Sequence, residues 1–68
     1  MTSAQCRVAR KRLGWAQREL AQRARVTRAG VEGLESGRRA SSRVTLARVR
    51  LAFLEAGVDV DALEDGAE

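Results

Sequence analysis

Sixty-eight residues, 44% of them hydrophobic, suit one small domain near the size at which a single core is only marginally stable, so no second, effector-sensing unit is expected. One cysteine, Cys6, excludes an internal disulfide, and the lack of histidine or of acids at ligand spacing excludes the usual zinc patterns, so neither metal nor cofactor is expected. No apolar run approaches the roughly 20 residues that span a bilayer, and the first residues lack a signal-peptide core, which predicts a cytoplasmic protein.

Charge is divided unevenly. Residues 1–54 hold all thirteen Arg and Lys against Glu19, Glu32 and Glu35, a net of +10, whereas residues 55–68 carry six acids and no base. A basic body of this kind draws polyanions by releasing their condensed counterions. The acidic end is expected to lie away from that partner. Arg outnumbers Lys by twelve to one, which suits planar phosphate and guanine contacts and equally reflects a GC-rich coding sequence.

In chain order, Thr2 to Gln5 reads as a capping box, and a helix is predicted from about Ser3 to Leu13, with Cys6, Ala9 and Leu13 on one face and Arg7, Lys11 and Arg12 off it. Gly14, Gly37 and Gly57 each follow a periodic segment and mark helix ends. A short helix is predicted from Gln17 to Ala24, and a second from Arg28 to Ser36 with Thr27 as its N-cap. The three residues between them force a steep crossing. Arg38 to Arg43 reads as a polar loop. Ser42 caps a fourth helix reaching Ala56, with Leu46, Val49, Ala52 and Phe53 inward and Leu51 and Leu54 outside that stripe. Asp59 caps a fifth short helix carrying Val60 and Leu63, and the domain is drawn over 1–64 with a frayed acidic end at 65–68.

The run Leu13-Gly14-Trp15-Ala16-Gln17-Arg18-Glu19-Leu20-Ala21, followed by Val26-Thr27 and by Val31 to Gly37, resembles the phage Cro and lambda-repressor family, also called Xre-type regulators, over roughly residues 3–63. That resemblance implies an all-α, compact bundle of five short helices whose second and third form a helix-turn-helix that enters the DNA major groove. It places Thr27, Arg28, Ala29, Glu32 and Gly33 toward base edges. Arg28 can hold a guanine through O6 and N7, Glu32 can accept from a cytosine amine, and Ala29 can touch a thymine methyl. Against this stands a plain surface pair between Arg28 and Glu32. Gln17, Ser36, Arg38, Arg39 and Arg43 are expected on phosphates, where they position the domain without selecting sequence. Arg10 and Glu35 match a structural ion pair between the first and third helices, and Trp15 is expected in the core rather than on bases.

The chain departs from the family pattern in three places. Ala16 removes an N-cap, at a cost of about 0.5 to 2 kcal/mol. Arg25 takes a turn position usually held by Gly, and Gly30 and Gly33 lie within the third helix, at roughly 1 kcal/mol each.

The expected function is that of a transcriptional repressor bound as a homodimer to an inverted-repeat operator, the dimer formed by Leu51, Leu54, Val58, Val60 and Leu63. An interaction module, an antitoxin or adaptor holding a toxin or other protein, is the alternative. No nucleophile or acid–base pair can be nominated, so no enzyme is expected. Membrane binding is disfavoured because the bases are spread over several helices.

Overall fold

A computed structural model of the chain describes residues 1–38 and 41–63. Four α-helices follow one another: α1 (Ser3–Arg12), α2 (Gln17–Ala24), α3 (Arg28–Ser36) and α4 (Arg43–Glu55). Their boundaries are written in local chemistry. Thr2 accepts from the Gln5 amide while the Gln5 side chain accepts from the Thr2 amide, closing the capping box of α1. Thr27 and Ser42 accept from the amides of Gly30 and Thr45, which start α3 and α4. α2 begins at Ala16 with no side-chain cap, so that helix leans on its neighbours for stability.

The expected fifth helix is a single 3-10 turn, Val60–Ala62, capped by Asp59. Two i to i+3 bonds, Ala62 to Asp59 and Leu63 to Val60, close it, and Leu63 is already extended. Among the described residues there is no strand. The frayed end expected at 65–68 and the phosphate contact expected of Arg39 lie outside the described residues.

The core joins Cys6 and Ala9 of α1, Leu20, Ala21 and Ala24 of α2, Val31 and Leu34 of α3, and Val49, Ala52 and Phe53 of α4. Trp15 lies against it as expected, 9% exposed, stacked on Phe53 with ring centroids 6.0 Å apart. The Arg23 guanidinium stands over the Trp15 ring, 4.5 Å from its centroid, a cation–π contact that periodicity did not reveal. Val60 is also in this core, with no exposed surface. Its place among the expected dimer contacts is therefore corrected: the 3-10 turn directs it inward, because closing the bundle between α1 and α4 buries more apolar area than leaving it on the surface. Val58 and Leu63 pack partly buried against the same core, whereas Leu51 and Leu54 are 55% and 48% exposed.

Candidate nucleic-acid interface

The link from α2 to α3 depends on Arg25, whose φ of 57° and ψ of 44° put a side-chain-bearing residue in the left-handed region. That conformation costs roughly 1–2 kcal/mol. It ends α2 by turning the Val26 amide back to the Ala21 carbonyl at 3.0 Å, and α4 reinforces the corner: Arg48 Nη1 donates to the Arg25 carbonyl at 3.0 Å. Beyond Thr27, α3 turns a small-residue face outward. Arg28, Ala29 and Glu32 are exposed, Gly33 is half-buried, and a Cβ placed on Gly33 would meet nothing within 4 Å. An open surface depression is lined by Ala29, Glu32, Gly33, Ser36 and Arg38, and a second by Thr27, Ala29, Gly30, Gly33, Ser41, Ser42 and Thr45. Of the residues expected at base edges, Thr27, Ala29, Glu32 and Gly33 line these two adjoining depressions, and Arg28 stands exposed at the start of the same helix.

Arg28 Nε lies 3.9 Å from Glu32 Oε2, both side chains mostly in solvent. Such a pair contributes at most a few tenths of a kcal/mol, so a duplex can separate it at small cost.

Charge at the helix ends is opposed to what isolated helices prefer. α3 and α4 each begin with an arginine, Arg28 and Arg43, and neither has an acid in its first turn. The positive end of a helix dipole disfavours a cation there by about 0.3–1 kcal/mol, so both termini are electrostatically unfinished until an anion arrives. Ser36 and Arg38, both exposed, follow at the end of α3, the Ser36 hydroxyl holding the Gly33 carbonyl and accepting from the Arg38 amide.

Behind this surface Glu35, 5% exposed, organises three helices. Arg10 grips it with two bonds, Nε to Oε2 at 2.6 Å and Nη2 to Oε1 at 3.0 Å, and donates a third to the Trp15 carbonyl at 2.9 Å. Arg10 is held strongly protonated, first by that hydrogen bonding, against the opposing effect of burial. Gln17, expected on a phosphate, directs an amide N–H to Glu35 Oε1 at 3.1 Å, and the Cys6 thiol approaches Oε2 at 3.7 Å. Arg7 and Ser3 donate to the Glu35 and Leu34 carbonyls, both at 2.6 Å, so α1 holds the carboxyl end of α3. Gly37 follows at φ 67°, where an added Cβ would stand 3.1 Å from Ser3 Oγ; glycine avoids both the strain of the left-handed turn and this crowding.

Sequence reasoning missed Arg7, Ser3, Gln17 and Arg48 as cross-links. Each is an ordinary polar residue on an amphipathic helix, and nothing in its spacing names a partner 18 to 31 residues away.

Among the described residues no group of His, Cys, Asp and Glu could hold a metal ion, and no helix is long and apolar enough to cross a membrane. A family model described as helix-turn-helix, of the Cro/C1 type, matches residues 7–53. No curated protein and no solved structure matches the chain.

Proposed function

Because the chain belongs to the Cro/C1-type helix-turn-helix family, whose members are DNA-binding transcription regulators, we propose that it is a sequence-specific repressor reading double-stranded DNA through the amino-terminal face of α3. The observation that carries this reading is the open face of Thr27, Arg28, Ala29, Glu32 and Gly33, flanked by helix N-termini that present arginines and no acids. With α2 across the groove and α3 inside it, Arg28 reads a guanine, Glu32 a cytosine amine and Ala29 a thymine methyl. Ser36, Arg38 and Arg43 hold phosphates on either side, together with Arg39 and the first turn of α2 at Gln17. Gln17 can present one N–H to a phosphate while Glu35 keeps the other.

One nine-residue helix contacts too few base pairs to be selective alone, so the reading includes a two-fold dimer. Leu51 and Leu54 supply exposed apolar surface for it, and the partly buried Val58 and Leu63 can contribute only their edges. Bound across a promoter, such a dimer represses by excluding polymerase.

Selection of binding sites from random duplex DNA tests the whole reading. The enriched sequence should be an inverted repeat with half-site centres about 10 base pairs apart, the spacing of successive major grooves on one face. Recovery of no sequence preference would overturn it, as would a single asymmetric site bound by one copy.

A further inference from the structure

The large apolar side chains that stand exposed among the described residues, Val44, Leu51 and Leu54, all lie on α4. Steps of three, four and seven residues put Val44, Ala47, Leu51 and Leu54 on one stripe of the helix, while Val49, Ala52 and Phe53 face the core. Arg43 and Arg50 border the stripe on one edge, Arg48 and Glu55 on the other.

Charge selects what covers it. Glu55 ends α4 at the negative pole of the helix dipole, with no base in the last turn and no ion pair among the described residues. Beside it runs an open groove of about 460 Å³ between α2 and α4, lined by Arg23, Arg25, Arg48, Leu51 and Ala52 as well as Glu55. Arg48 uses one N–H on the Arg25 carbonyl and keeps its other donors for an acid. The surface thus offers a leucine ridge, a basic groove and a carboxylate side by side, a self-complementary set of the kind a two-fold interface requires.

We propose that α4 pairs antiparallel with α4 of a second copy, Leu51 against the partner's Leu54 and Arg48 against the partner's Glu55. Two of the registers open to a two-fold pair bury the leucines. The one covering the whole stripe, Val44 against the partner's Leu54, brings Arg48 nearly level with the partner's Arg48. Arg50 meets its own counterpart there too, although Asp61 at 3.2 Å partly neutralises it. Shifting by one heptad replaces the Arg48 repulsion with two Arg48–Glu55 attractions, packs the two leucines of each chain together and leaves Val44 in solvent. This register rests on the two-fold reading given above and names the surface that makes the dimer.

Sedimentation equilibrium of the full chain without DNA tests it, with melting curves to verify that each variant is folded. The parent should dimerise, Leu51→Ser should weaken the dimer by roughly tenfold, and Val44→Ser should leave it unchanged. Arg48→Glu and Glu55→Arg should each weaken self-association by roughly tenfold, because each makes two like-charge contacts. Their equimolar mixture should recover the parental affinity, since the mixed dimer has an opposite charge at every such contact. A monomeric parent, a mixture no tighter than its components, or a Val44→Ser loss equal to that of Leu51→Ser would overturn the seam. A parent that is monomeric in solution yet binds inverted-repeat DNA would sink the seam and spare the DNA reading, and a dimer paired as described but without DNA affinity would do the opposite.

Discussion

Glu35 is a buried anion satisfied by Arg10, by the Gln17 amide and by the Cys6 thiol. Such a pair need not add net stability over apolar residues, yet removing one partner strands the other in a low-dielectric interior. Glu35→Ala is therefore expected to cost on the order of 3 kcal/mol, and removing Arg10 as well should cost less than the two single losses together. A double-mutant cycle by urea unfolding measures this coupling; additive losses would contradict it. Arg25 makes the opposite case. Its left-handed conformation costs roughly 1–2 kcal/mol, more than the roughly 0.4–1 kcal/mol by which a glycine loosens the unfolded chain. Arg25→Gly should accordingly raise the melting temperature, and the Arg48 bond persists because it uses the backbone carbonyl. A lower melting temperature would mean that the Arg25 side chain itself stabilises the turn.

At the scale of the element, α3 is built for exposure rather than for stability. Its interior glycines, Gly30 and Gly33, each sacrifice about 1 kcal/mol of helix propensity, and Thr27 with the packing of Val31 and Leu34 holds the helix regardless. In the proposed reading Arg28 reads a base and Arg43 grips a phosphate, two roles that should separate in measurement. Arg28→Ala, on the open face of α3, should relax preference at one base pair by about 1–3 kcal/mol. Arg43→Ala, at the start of α4, should weaken binding to all sequences alike and flatten the salt slope by about 1. Competition binding over a salt series distinguishes the two, and the reverse pattern would exchange the assigned roles.

For the molecule as a whole, Cys6 reports on opening. It has no exposed surface, and burial, followed by the charge of Glu35 and the hydrogen bond to it, pushes the thiol from 9.0 up to about 12. A raised thiol pKa means that the folded chain retains a proton the unfolded chain loses. The associated stability is thus complete below about pH 9 and declines as pH rises toward about 12. Cys6→Ala should remove that part of the alkaline decline in unfolding free energy. In the parent at neutral pH, an aromatic disulfide reagent should label Cys6 only as fast as the bundle opens. Rapid labelling of the folded chain would show that α1 and α3 part without unfolding.

Much of the fold was legible because its signals are local. Caps act within three or four residues, so Thr2, Thr27 and Ser42 marked their helices, and the 3.6-residue period placed Cys6, Leu20, Val49 and Phe53 inward. The same locality separated Leu51 and Leu54 from the inner face of α4 and put the candidate base-reading residues together at the start of α3. What the helices do to one another was not legible. The burial of Val60, the capture of Gln17 by Glu35, the covering of Trp15 by Arg23 and the reach of Arg48 to the α2–α3 turn were decided only when the helices packed. A helical period specifies which side of an element is apolar, but the polar partner that a long side chain finds depends on the positions of neighbouring helices, and only packing in three dimensions sets those.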